Sequence, residues 1–460
     1  MVAQESLSSP TEPINGKHLK QLALVLESVL GAGAVKDIDL AYLMNVPLSK
    51  LSELKKARSS IEQLRQSGAS QSAESDDATL GEDVGDTYLR PHQAILTRLL
   101  LRHPQYAPLA MVAEPTDVFE LINPYIPVPG SSESRKNGRQ RKSGFAPLFG
   151  RSYVTSYKLL SQEAIASGGS LPVIRLQMLV VGKFAEIFVN LLLRYAAMRN
   201  ELSRLDFSDL QCCGWKVLRD KDSHTSWMDD NLYSEFALEL DTQWREWFEH
   251  NYLAVLRDEA LSRDIDPEKA ISRGNWTNRH EVTSAKLSEY GFRTQPILGS
   301  KDSLFAVFRE SFELTSSEAY WALGLQIKAF YRYRGQPKQR IDAPTSILIR
   351  YLNRYPDDIG LFIPKPASGN EILQVIQSLE PTFRVGQLAP LFGASRVMSY
   401  DFAREDQACP FFARRLASIF RQQNARGEPI YDRLRECVED ELRARKIDSV
   451  RFWSDGRWHH

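Results

Sequence analysis

The chain has 460 residues, room for two to four domains of ordinary size, and with 43% hydrophobic and 25% charged residues it is neither largely disordered nor collagen-like. Lys+Arg and Asp+Glu both number 58, so bulk charge argues neither for nor against nucleic acid, and any such partner must be held by local patches. The four cysteines, Cys212, Cys213, Cys409 and Cys437, form no C-x-x-C pair, which argues against a zinc ribbon or a disulfide scaffold and fits a reducing compartment.

In chain order, residues 1–66 read as a small helical domain, and Met1–Gly16 lacks the apolar core of a signal peptide. Within that domain Ala41-Tyr-Leu-Met-Asn45-Val-Pro47 offers a small residue and a turn, with Leu51 and Leu54 as anchors and Lys50 as a nearby base. The alternative is a three-helix interaction domain in which Leu43, Leu48 and Leu51 form the core. Residues 67–87 read as an acidic flexible linker, because Gly68–Asp86 carries Glu74, Asp76, Asp77, Glu82, Asp83 and Asp86 and no base. A first repeat, 88–165, contains the Ser- and Gly-rich stretch Pro129–Ser143, expected to be a mobile, strongly basic loop. Residues 166–340 read as a helical middle domain with a role in self-association. Its most apolar run, Leu171–Met198, is interrupted by Arg175, Lys183, Glu186 and Arg194 and so reads as a buried helix rather than a membrane span. A second repeat, 341–405, and a helical C-terminal tail, 406–460, complete the chain. Strand-like alternation is scarce, so the expected fold class is mainly α: a multi-domain helical protein with two duplicated units flanking a helical middle domain.

The duplication rests on two co-linear blocks. Leu96-Thr-Arg-Leu-Leu-Leu-Arg-His-Pro104 recurs as Leu348-Ile-Arg-Tyr-Leu-Asn-Arg-Tyr-Pro356. Phe145-Ala-Pro-Leu-Phe-Gly-Arg-Ser-Tyr-Val-Thr-Ser-Tyr157 recurs as Leu388-Ala-Pro-Leu-Phe-Gly-Ala-Ser-Arg-Val-Met-Ser-Tyr400, with nine of thirteen positions identical. The offset falls from 252 to 243 between the blocks, so the first copy carries the longer insertion, most simply the basic loop.

In each copy Ala-Pro-Leu-Phe-Gly-x-Ser reads as a short helix stopped by Gly150 or Gly393, with Ser152 or Ser395 suited to cap the next helix. This resembles the helix-turn-helix of bacterial DNA-binding regulators: Ala146 and Ala389 take the small position, the glycines the turn, and Leu159 and Phe402 the apolar anchor. Two positions depart from that pattern. Ser156 and Ser399 stand where an aliphatic residue is usual, with Val154 and Val397 two residues earlier, which suggests a rotated buried face. Pro147 and Pro390 require the first helix to be very short.

The resemblance implies double-stranded DNA as partner. Residues 131–160 carry Arg135, Lys136, Arg139, Arg141, Lys142, Arg151 and Lys158 against Glu133 alone, and residues 384–426 carry seven arginines against three acids. The residues expected to face the groove are Ser152, Tyr153, Thr155 and Lys158 in the first copy and Ser395, Arg396 and Met398 in the second, with Arg396 suited to guanine. No H-E-x-x-H, G-x-S-x-G or Walker pattern occurs, so no catalytic residue, metal or cofactor is expected. The expectation is thus a cytoplasmic, nucleoid-associated DNA-binding protein. It would be a transcription regulator or a replication or partition factor of a bacterial mobile element such as a plasmid, without a membrane partner. The alternative is a helical scaffold whose repeats bind proteins.

Overall fold

A computed structural model describes residues 10–30, 35–47, 50–55, 89–109, 114–127, 138–161, 170–205, 221–277, 293, 295–299, 304–325, 340–405 and 407–458. The acidic segment Gly68–Asp86, Arg135, Lys136, Cys212 and Cys213 lie outside these residues. The protein is mainly α, and among the described residues the sole β pairing is an isolated bridge between Leu298 and Arg340. Two compact units divide the chain, one made of residues 1–109 and 364–460 and the other of residues 110–363.

Each unit is organised around one of the two repeated Arg-bearing helices. Pro91–Arg102 and Ala343–Arg354 both begin with a proline in the first turn, where its missing N–H is not needed. Both stop two residues before a second proline, Pro104 or Pro356, which disfavours helical geometry in the residue ahead of it, His103 or Tyr355. Their interiors are buried almost throughout, which leaves Arg98 and Arg350 inside the protein.

A buried guanidinium is tolerable only if each donor is met. Arg98 donates from Nε to Glu441 Oε2 at 2.7 Å and from its two Nη atoms to the carbonyls of Pro10 and Glu12. Arg350 repeats this in the other unit, from Nε to Glu259 Oε2 at 2.5 Å and from Nη1 and Nη2 to the carbonyls of Arg293 and Gln295. The second oxygen of each carboxylate is also matched: Glu441 accepts from Arg445 and Glu259 from Arg263, whose other nitrogens reach the carbonyls of Leu89 and Ile341. A cation–π pair recurs as well, with Arg415 over Tyr42 at 3.8 Å and Arg175 over Trp321 at 4.4 Å, each Nε donating to the carbonyl of the ring it covers.

These matched pairs show that the duplication reaches well beyond the two blocks first recognised. Thr11-Glu-Pro-Ile-Asn-Gly16 recurs as Thr294-Gln-Pro-Ile-Leu-Gly299, and Glu259, Arg263, Ile265, Asp266, Ser272, Gly274 and Trp276 recur at Glu441, Arg445, Ile447, Asp448, Ser454, Gly456 and Trp458. The 406–460 stretch is therefore the third block of the second copy rather than an appended tail. Residues 166–340 are likewise not a separate spacer: they hold the end of the first copy and the start of the second. The Ala41–Val46 turn is the counterpart of Tyr320–Leu325, not a third copy of the Ala-Pro-Leu-Phe-Gly motif, and its Asn45 occupies the left-handed position that Gly324 fills.

The two blocks of one copy also lie in different units, which corrects the expectation of contiguous repeats at 88–165 and 341–405. The chain leaves the first unit after Leu109 and the second after Ile363. As a result each unit combines the first part of one copy with the last part of the other. Every pair described above, Arg98–Glu441, Arg350–Glu259, Arg415–Tyr42 and Arg175–Trp321, joins the two copies.

Candidate functional site

The repeated motif is built from the inside outward. Ala146–Phe149 and Leu388–Leu391 are single buried helical turns, and each carries its proline in the first turn, as the sequence required. They stop at Gly150 and Gly393, whose φ values of 72° and 80° are left-handed. The departures at Ser156 and Ser399 have a direct cause. Ser156 Oγ accepts from Ala146 N and donates to Ser143 O, both at 2.8 Å, while Ser399 Oγ accepts from Ala389 N at 3.0 Å and donates to Gly386 O at 3.1 Å. A serine here stitches the two helices together where an aliphatic residue would only fill space. Gly138–Ser143 is helical, where the sequence suggested that the loop would run on to Ser143, and the Ser156 hydroxyl ties down the carbonyl at its end.

The turn glycines are seated on the starts of the Arg-bearing helices. A Cβ on Gly150 would meet Pro344 N at 2.8 Å, and one on Gly393 would collide with the backbone of His92. Gly150→Ala and Gly393→Ala combine this clash with left-handed backbone strain, so each is expected to cost roughly 3 kcal/mol or more in denaturant unfolding. Loss of less than about 1 kcal/mol would contradict the packing. The third block braces the motif from the other side: Trp276 Nε1 donates to Pro147 O at 3.0 Å, and a Cβ on Gly274 would meet Ser152 Cα at 2.7 Å.

Burial, with a smaller contribution from Arg90, lowers the pKa of His92 to about 4, from an ordinary value of 6.5. Folded protein therefore keeps His92 neutral while the unfolded chain takes up a proton below pH 6.5. The resulting stability is fully present above pH 6.5 and is lost as pH falls towards 4. His92→Gln should flatten the melting temperature across that window, and an unchanged pH profile would refute the assignment.

The outer face of the motif is where the copies agree most informatively. Val154 and Tyr157 are 50% and 45% exposed, and their counterparts Val397 and Tyr400 are 77% and 56% exposed. The valines are thus not the inward face that the sequence suggested; that face belongs to the stitching serines and to buried Leu159 and Phe402. Nothing in the packing requires Val and Tyr at exposed positions, yet both copies carry them. The sequence reading missed Tyr157 and Tyr400, although both were inside the repeated block.

The other expected residues are placed as follows. Ser152, Tyr153, Lys158, Ser395, Arg396 and Met398 are exposed, and Thr155 is half-buried with its hydroxyl 3.2 Å from that of Ser152. Neither Ser152 nor Ser395 caps its helix through the side chain: Ser152 Oγ is spent on Thr155, and the Ser395 carbonyl receives Met398 N. Arg396 donates to Ser454 O at 2.6 Å, and Arg151 donates to Ser170 Oγ at 2.6 Å and lies 3.9 Å from Asp342. Both guanidinium groups are thus held by the protein. Lys142 is exposed, Arg141 is half-buried, and Lys50 pairs with Glu53. Arg139 is within the Gly138–Ser143 helix, but its side chain lies outside the described residues. Among the described residues no group of His, Cys, Asp and Glu side chains is arranged to hold a metal ion.

Among the described residues one helix, Leu171–Arg199, is long and apolar enough to cross a membrane. Within its unit it buries Leu176, Leu179 and Leu192, while Arg175 covers Trp321 and Lys183 pairs with Asp358 at 2.8 Å. No family model, curated protein or solved structure matches this chain.

Proposed function

We propose that the protein binds double-stranded DNA through the two short helices that follow Gly150 and Gly393, acting as a transcription regulator or as a replication or partition factor of a bacterial mobile element. The observation that carries this reading is the paired presentation of Val154 with Tyr157 and Val397 with Tyr400 on identically built turns. A duplicated protein offering the same side chains twice suits a target with two related half-sites, as palindromic operators have. Valine can contact a thymine methyl group, and a tyrosine hydroxyl can reach a phosphate. Lys142 and Lys158 would add sequence-independent affinity in the first copy, whereas Asp401 takes the place of Lys158 in the second. Arg396 would need to release Ser454 O before reading guanine.

A second reading is favoured by one specific feature: the large exposed side chains common to both copies, Val154/Val397 and Tyr157/Tyr400, are apolar or aromatic rather than basic. That is also what a scaffold binding two copies of a protein partner would present. Duplex binding measured across a salt series separates the two, since phosphate contacts give a log–log slope and a scaffold gives none. With DNA as target, Tyr157→Ala combined with Tyr400→Ala should weaken a selected site roughly tenfold or more and random duplex much less. Lys158→Ser should weaken all sequences alike. An absence of salt-dependent duplex binding by the parent protein would discard the DNA reading.

A further inference from the structure

The first copy contains an addition that the second lacks. Arg175 and Glu259 are 84 residues apart, whereas their counterparts Arg415 and Glu441 are 26 apart, so the first copy carries 58 more residues between equivalent points. The extra chain lengthens two helices, Leu171–Arg199 and Asp230–Glu246, which pack together through Phe188, Leu192, Leu232 and Phe236. Residues of both helices and of Pro115–Ile122 line a cleft of about 600 Å³ within the 110–363 unit, a usual size for a small-molecule site.

The cleft has aromatic walls. Phe188, Phe236 and Trp244 are buried, whereas Tyr125 and Phe184 are half-buried and Tyr233 is 41% exposed, so a ligand can reach the last three. The charge around these rings is negative: Asp117, Glu120 and Asp241 line the cleft against one base, Lys221. A cation gains from carboxylates and from electron-rich rings together, while an anion is repelled by both. The chain already holds one cation in this way. Arg245 Cζ lies 5.8 Å from the centre of the Tyr125 ring, and its Nη2 donates to Asp241 Oδ2 at 3.0 Å. Tyr125 Oη donates to the other oxygen of that carboxylate, which fixes the ring. Asp117 and Asp241 thus have partners within the chain. Glu120 is exposed and forms no ion pair among the described residues, which leaves its carboxylate to meet a ligand.

We propose that this cleft binds a small organic cation, an ammonium group carried on an apolar body, with the body against Tyr125, Phe184 and Tyr233 and the charge toward Glu120. The inference is independent of the DNA reading. Calorimetric titration of the full-length protein tests it with three probes of similar shape: 2-phenylethylammonium, neutral 2-phenylethanol and anionic phenylacetate. The ammonium is expected to bind saturably at millimolar concentrations or below, the alcohol at least roughly fivefold more weakly, and phenylacetate not measurably. Added salt should weaken the ammonium and leave the alcohol unchanged. Glu120→Gln and Tyr233→Ala alter exposed side chains and should keep the melting temperature of the parent. Glu120→Gln should weaken the ammonium roughly threefold and narrow its lead over the alcohol, whereas Tyr233→Ala should weaken both probes. Ala237→Phe, placed in the lining, should abolish binding of both; if it fails to fold, the two surface variants decide the matter. No saturable binding of the ammonium, equal or tighter binding of the alcohol or of phenylacetate, or parent-like binding by the Glu120→Gln, Tyr233→Ala double variant would overturn the proposal.

Discussion

Fragment 110–363, expressed alone, is expected to fold and melt cooperatively, whereas a fragment ending between the two copies, such as 1–284, is expected to form neither unit. The reason is the exchange of parts between copies. Residues 110–363 hold both members of every cross-copy pair in their unit: Arg350 with Glu259, Arg175 with Trp321, and Gly150 against Pro344. Fragment 1–284 holds Arg98 without Glu441 and Glu259 without Arg350, leaving buried charges with no counter-ion, and it exposes the apolar faces that the second copy would cover. The remaining unit is discontinuous, so 1–109 and 364–460 should fold only when mixed. Far-UV circular dichroism and thermal melts of the four fragments, alone and in combination, would check this. A cooperative melt from 1–284 alone, or none from 110–363, would show that the cross-copy pairs do not define the folding units.

This exchange marks the limit of what the sequence made legible. Mainly helical character and the duplication could be read, because Pro, Phe, Gly and Tyr are rarely interchangeable and kept the Ala-Pro-Leu-Phe-Gly block visible. The outer blocks were harder to see, since only residues with irreplaceable tasks persist there. In the third block these include the buried acid of Glu259 and Glu441, the left-handed glycines Gly274 and Gly456, and the buried indoles Trp276 and Trp458, all scattered over eighteen-residue stretches of otherwise unlike helix. At Tyr42 and Trp321 the geometry is kept although the residue is not. Which copy's helix receives which copy's motif leaves no trace in linear similarity, because both pairings satisfy the same residues. At the candidate site the short first helix was deduced correctly from Pro147 and Pro390. The inward face was misjudged because a serine engaged in two backbone hydrogen bonds looks, in sequence, like a weak core residue.

Glu441→Gln is expected to destabilise the discontinuous unit by about 3–5 kcal/mol, the cost of leaving a buried charge without its partner. Arg98 and Glu441 both have fully buried side chains, so water cannot screen the loss. Glutamine keeps the volume and could still accept one hydrogen bond, so the change isolates charge from packing. The carboxylate also serves Arg445, whose side chain is 14% exposed, and neutralising it leaves two guanidinium groups facing a neutral amide. Glu259→Gln should reproduce the effect in the other unit through Arg350 and Arg263, giving an internal replicate in the same molecule. Asp455→Asn provides the contrast: its pair with Arg451 is largely exposed to water, so its loss should leave the unfolding curve close to that of the parent. Equilibrium urea unfolding of the three variants and the parent measures all of this. A loss below about 1 kcal/mol for both buried variants would mean that the paired guanidinium–carboxylate cores are incidental to the fold, and the matched geometry in the two units would then need another cause.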